Sequence, residues 1–173
     1  DREAYQTPLG LAQVDREAAE FLRSFPGMVF HDEAHDSGEH SLEVQLPFLQ
    51  VVLPQTRIVP LLMGSARWQH TSQLADALQA LAKRGDYLFV FTTDLSHDHP
   101  YEQALAMDER TLEAMLQELP EAVARLFGEG QLEACGRAPV AAGLLLADRL
   151  GYLKRELVAK ANSGDTTGDR SRV

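Results

Sequence analysis

A carboxylate and an imidazole stand three residues apart in the segment 93–99, which reads TDLSHDH. At this distance Asp94 could orient the ring of His97 and raise its basicity. The pair would then act as a general acid and base, or as a metal ligand with its supporting carboxylate. The residue types leave one alternative open, a helix-capping turn in which Asp94 or Ser96 accepts backbone N–H bonds and His97 lies on the surface.

A second candidate is Cys135, which is the only cysteine and therefore cannot form an intrachain disulfide. It lies just before a segment that Pro139 is suited to open as a helix, and Arg137 is nearby. The positive end of that helix and the guanidinium favour a thiolate, which could bind a soft metal or act as a nucleophile. The alternative is that the cysteine is a small buried hydrophobic residue.

Two further polar segments carry weaker signals. His31, His35 and His40 lie among acidic residues, as in tracts that bind divalent metals, but their spacing matches no fixed coordination geometry. We therefore expect His31 and His35 on the surface. The segment Asn162 to Asp169, NSGDTTGD, could line a pocket or bind a cation weakly, although a turn-rich loop explains its composition more simply.

The elements that must position these residues alternate between strands and helices. Short apolar runs predict strands over residues 57–63, 87–92 and 156–161. Helical spacing and capping signals predict helices over residues 15–25, 42–53, 68–83, 108–116, 120–127 and 139–150, with Pro47 kinking the second. This order predicts an α/β fold of three layers, with a mostly parallel sheet flanked by helices. Ligands collect beyond the carboxyl ends of such strands, which is where segment 93–99 falls.

Composition narrows the classes of partner. The chain has 173 residues, 16 Lys plus Arg against 26 Asp plus Glu, a formal net charge of -10 and 45% hydrophobic residues. This predicts a single globular domain and argues against binding to nucleic acid or an anionic membrane. The lone cysteine and the lack of a long apolar run or signal peptide make the cytoplasm the default location. Both ends look cut, so we expect a part of a larger domain.

Common catalytic motifs are missing, and five other motifs occur in order. The sequence has no G-x-G-x-x-G, Walker A loop, G-x-S-x-G, H-E-x-x-H or C-x-x-C. It does contain YQTPLG, EHSLEVQLPFLQ, TTDLSHDHPY, CGRAPV and NSGDTTGD. Together these resemble the Memo family, the protein B component of AmmeMemoRadiSam systems. That family is similar in fold to the class III extradiol (LigB-like) non-haem iron dioxygenases, and the resemblance covers the middle and C-terminal part of its pattern.

The resemblance implies a role for each matching residue. Cys135 matches the cysteine ligand of a metal site that two histidines complete, and both histidines precede the position that matches Asp1. His97 matches a pocket histidine that corresponds to an acid/base position in the dioxygenases, and Asp94 matches its neighbouring aspartate. A thiolate with imidazoles suits iron or copper, with zinc as a borderline choice.

Further pocket residues and partners are also implied by the resemblance. Glu39 and His40 match the E-H-S motif, and Asn162 belongs to the last motif; all three are expected near the cleft. A small molecule or peptide is the expected ligand, alongside a radical-SAM partner system.

Three functions compete at this point. The first is a metal-dependent redox enzyme, such as a dioxygenase-like oxidoreductase. The second is a binding or signalling module that uses the same pocket without turnover. The third and weakest is a cysteine hydrolase with Cys135 and His97, for which the sequence identifies no oxyanion hole.

Overall fold

The computed structural model of the chain describes residues 3–31, 38–152 and 154–173. It is a mixture of helices and a small sheet. Contacts divide the chain into two units, one formed by Asp1–Gly64 and Asp76–Leu88, the other by Ser65–Ala75 and Phe89–Val173. None of the described helices combines the length and hydrophobicity that crossing a bilayer requires.

The first unit begins with an antiparallel hairpin that the sequence analysis missed. Strands β1 (Ala4–Thr7) and β2 (Gly10–Gln13) pair in register, from Ala4 opposite Gln13 to Thr7 opposite Gly10. The two-residue connection is followed by Gly10, whose φ of 115° suits glycine and is rarely adopted by other residues. The turn signal was therefore present in the sequence as Pro8 and Gly10.

The first unit also contains helices α1 (Arg16–Arg23) and α2 (Leu46–Val52). The predicted cap of α1 is confirmed, because the side chain of Asp15 accepts a hydrogen bond from Ala18 N–H at 3.1 Å. The predicted kink at Pro47 is wrong. Helix α2 begins only at Leu46, with the proline in its first turn, where a missing N–H costs nothing.

The second unit is helical. Its helices are α4 (Tyr101–Gln117), α5 (Pro120–Gly128), α6 (Arg137–Arg149) and the short α7 (Ser163–Thr167). Helix α3 (Trp68–Ala82) precedes them and belongs in part to each unit. These bounds agree with the predictions for α3, α5 and α6, whereas α4 starts seven residues before the predicted Asp108 because Pro100 already provides a helix start.

The core of the second unit lies where α5 packs against α6 and α4. Its buried members are apolar side chains of α4, α5 and the segment before α6: Ala114, Val123, Phe127, Leu132 and Ala134. Gly143 lets α6 approach the segment after α3, since a Cβ there would meet the ring of Phe91 at 2.7 Å. This contact fixes the end of the apolar run 87–92 beside α6.

The predicted three-layer parallel sheet is not formed among the described residues. The one sheet found there is the two-stranded hairpin, and the one parallel pairing outside it is the bridge between Val14 and Ile58. The runs 57–63, 87–92 and 156–161 contain no strand, and Val158 is 91% exposed. An apolar run predicts burial and strand propensity, but a ladder also needs a neighbouring strand to accept its hydrogen bonds.

Candidate metal centre

The segment after the run 87–92 and the segment before α6 are joined by hydrogen bonds that two backbone N–H groups donate. Cys135 N–H donates to the carbonyl oxygen of Asp94 at 3.1 Å, and Gly136 N–H donates to Thr93 Oγ1 at 2.8 Å. A Cβ on Gly136 would lie 2.6 Å from the carbonyl oxygen of Thr92, so only glycine fits without displacing the backbone. The φ of Gly136 is -88°, which makes this requirement steric rather than conformational.

These contacts bring three candidate ligands together. One ligand atom from each of Asp94, His97 and Cys135 lies within 4.8 Å of the others, and all three residues are exposed. The sulfur of Cys135 accepts a hydrogen bond from Asp94 N–H at 3.2 Å. The buried-hydrophobe alternative for Cys135 is therefore wrong.

Asp94 and His97 face each other without a direct hydrogen bond. Their closest atoms, Asp94 Oδ2 and His97 Nε2, are 3.7 Å apart, beyond the usual limit for such a bond. Two ligands around a tetrahedral zinc-like ion are separated by about 3.4 to 3.6 Å, given the usual metal–ligand distances. The spacing therefore fits two ligands that share an ion better than an aspartate that orients a ring by hydrogen bonding.

The donor set passes a chemical test for a transition metal. A thiolate, an imidazole and a carboxylate match the preferences of iron, copper and zinc, and the sulfur disfavours magnesium and calcium. The three ligand atoms lie within 4.8 Å of one another, so a single ion between them would be near all three. Of the alternative for segment 93–99, the helix cap is wrong, because the N-cap of α4 is Pro100, whereas the surface position of His97 is confirmed.

Glu133 was missed by the sequence analysis and lies beside the cluster. Its Oε1 accepts the backbone N–H of His97 at 3.0 Å, and its Oε2 is 3.0 Å from Nε2 of His99. The hydrogen bond from His97 N–H is the main cause that holds the pKa of Glu133 below its usual value. No local signal could have found this residue, because its partners lie more than 30 positions away along the chain.

The remaining predicted site residues lie elsewhere in the chain. Glu39 accepts the Ser41 backbone N–H at 2.7 Å, and hydrogen bonds from Ser41 lower the pKa of Glu39. His40 is exposed and lies 2.7 Å from Glu43 Oε1. His31 is exposed, as expected, and His35 lies outside the described residues.

Asn162 is the N-cap of α7, which corrects the expectation of a turn-rich loop. Its side chain accepts Asp165 N–H, while the Asp165 carboxylate accepts the N–H of Asn162, so the two form a capping box. Tyr101 donates its hydroxyl to Asp165 at 2.6 Å, which lowers the pKa of Asp165. Asn162 is not a member of the three-ligand cluster, and its pocket role stays a prediction.

Fold and site together define a mixed helix and strand protein with an exposed cluster suited to a metal ion. Comparison with known proteins identifies its family. The family of Memo-like proteins matches the chain over residues 1–173. The chain therefore belongs to the Memo family.

Individual relatives agree with this assignment. A MEMO1 family protein of Aeropyrum pernix is 37% identical over 176 aligned residues, which cover 100% of this chain and 62% of the relative. A MEMO1 family protein of Aquifex aeolicus is 34% identical over 172 residues, covering 99% and 64% respectively. The chain thus spans less than two thirds of the length of these relatives. No solved structure matches it.

Proposed function

We propose that this chain is a Memo-like metal-binding protein whose Cys135, His97 and Asp94 hold a transition-metal ion. The observation that carries the proposal is the convergence of one sulfur, one nitrogen and one oxygen donor within 4.8 Å. The family resemblance marks Cys135 as a metal ligand, and His97 and Asp94 as neighbouring pocket residues. Iron or copper fits this donor set best, and zinc is the borderline choice.

We propose a redox role for the loaded site. When bound, iron or copper would supply one-electron chemistry and an open position for a small molecule. The family resemblance implies a different role for His97, as a proton donor and acceptor rather than a ligand. In that role His97 would not bind the ion: Nε2 would hold or deliver the proton, the side chain is 47% exposed, which leaves room for a substrate, and the Asp94 Oδ2 at 3.7 Å would balance the charge of the protonated ring.

The finer family properties belong to the same proposal. A relation to the class III extradiol dioxygenases implies a three-layer, largely parallel sheet; the apolar runs 57–63 and 87–92 have the composition of its strands, although the structure forms none there. We also propose a cytoplasmic location, a small-molecule or peptide ligand, a radical-SAM partner system, and pocket roles for Glu39, His40 and Asn162. The resemblance to the family supports these roles.

A second function is favoured by one observation, the exposure of all three ligand residues. Electrostatic catalysis gains most where water is excluded, so an exposed cluster suits reversible binding of a metal or peptide without turnover. Steady oxygen consumption by the iron-loaded chain that is lost in His97→Ala would rule out this binding or signalling module. Absence of such consumption would favour it.

The metal proposal is tested by anaerobic reconstitution with Fe²⁺. We expect the chain to bind one equivalent and Cys135→Ser to lose at least about ten-fold in affinity, because a soft ligand is replaced by a weakly coordinating hydroxyl. Glu113→Gln, an exposed change on α4, is the matched surface control. Full stoichiometry and unchanged affinity in Cys135→Ser would refute the proposal.

A further inference from the structure

Glu133 connects the two segments that carry the candidate ligands. It lies two residues before Cys135, and its carboxylate contacts both the backbone of His97 and the ring of His99. The hydrogen bond from Cys135 N–H to the Asp94 carbonyl oxygen joins the same two segments. Hydrogen bonds therefore hold together the two segments that carry the Cys135 sulfur and the His97 imidazole.

The other side of His99 is also held. Its backbone N–H and carbonyl pair with Val173 at 3.2 and 2.9 Å, so the position of His99 does not depend on Glu133 alone. Among the described residues, His97 is held by Glu133 through its N–H and by Asp94 beside its ring. Removing the Glu133 contact should therefore displace His97 more than His99.

We propose that Glu133 is a positioning residue of the metal centre, which sets the separation between the His97 imidazole and the Cys135 sulfur. The inference rests on the proposed function. The role depends on the length of the Glu133 side chain, because one carboxylate must contact the His97 amide and the His99 ring at the same time. Partners of this kind outside the ligand set are typically worth about 10- to 100-fold in metal affinity.

Two substitutions separate reach from charge. Glu133→Gln keeps the length of the side chain and an oxygen that accepts His97 N–H. Its amide can donate to His99 when that ring carries its proton on Nδ1. Glu133→Asp keeps the charge but is one methylene shorter, so it cannot reach both partners. Glu113→Gln on α4 is the control for a lost surface carboxylate.

The experiment is a Co²⁺ titration of the full chain, followed by thiolate-to-cobalt charge-transfer absorbance. We expect Glu133→Asp to bind at least about ten-fold more weakly than the wild type, and Glu133→Gln to stay within about three-fold. The metal-free protein gives an independent readout by NMR: the downfield His97 amide proton signal should persist in the Gln variant and shift upfield in the Asp variant.

The outcomes distinguish the two proposals. If Cys135→Ser binds Co²⁺ like the wild type, the proposed function fails. If Cys135→Ser loses affinity while Glu133→Asp matches the wild type, only the positioning role fails. A Gln variant that folds but loses ten-fold in affinity also overturns it, because reach alone would then be insufficient; this arm holds even if the Asp variant does not fold.

Discussion

Two histidine-bearing segments of this chain have similar compositions and different surroundings. The segment around His97 is tied to residues about 40 positions away through Cys135 and Glu133. The segment around His40 makes local contacts: His40 lies against Glu43, and Glu39 accepts Ser41 N–H. Acids and histidines close in sequence are thus insufficient for a site, and contacts between distant segments are what bring a sulfur to the imidazole.

The largest expected effect tests directly whether the two segments differ in metal binding. His97→Ala should weaken Co²⁺ binding by at least about 10- to 100-fold, because it removes a ligand of the cluster and partners outside the ligand set are already worth that much. The matched substitution His40→Ala should leave the affinity unchanged, since His40 contacts an exposed carboxylate only three residues away. Isothermal titration of both variants checks the pair. Equal losses in the two would mean that the local tract binds metal as well as the cluster does.

The next effect concerns the close contact of Gly136 with Thr92 and Thr93, which holds the cluster together. Gly136→Ala should lower the free energy of unfolding by about 1–3 kcal/mol, because its Cβ would overlap backbone and side-chain atoms of Thr92 and Thr93. Gly128→Ala at the end of α5 is the control, since a Cβ there meets nothing within 4 Å. Urea unfolding measures both. A Gly136→Ala variant as stable as the control would show that the two segments are not in close contact.

The smallest expected effect concerns Glu39, in the segment around His40. Hydrogen bonds from Ser41 lower the folded-state pKa of Glu39, so this carboxylate stabilises the fold above its unfolded pKa, and the contribution is lost as the pH falls through the folded value. Glu39→Gln should cost less than about 0.5 kcal/mol at pH 7, because the group is largely solvated. The difference from wild type should shrink as the pH falls below the unfolded pKa and vanish below the folded one. A gap that widens in acid would contradict this.

The sequence predicted the helices better than the sheet, for a physical reason. Caps and apolar stripes act within a few residues, so Asp15 marks the start of α1 correctly. A strand depends on a neighbour that may come from far along the chain, and the run 87–92 alone does not specify one. Even the hairpin at Gly10 was missed, although its turn residues were visible in the sequence.

The candidate site, too, could be predicted only in part. The spacing of Asp94 and His97, and the helix start after Cys135, drew attention to the three residues that the structure brings together, and the family motifs connected them. Spacing suggested that Asp94 orients His97 by a hydrogen bond, but the 3.7 Å separation of Oδ2 and Nε2 does not fit that contact. Glu133 could not be predicted, because its role arises only when the two segments meet.

X-ray absorption at the metal edge of the cobalt-loaded chain tests the central claim most directly. We predict one sulfur scatterer at about 2.3 Å together with nitrogen or oxygen scatterers near 2.0–2.2 Å. The sulfur shell should disappear in Cys135→Ser. A wild-type spectrum with nitrogen and oxygen scatterers alone would contradict the account, because the metal would then bind without the cysteine that defines the site.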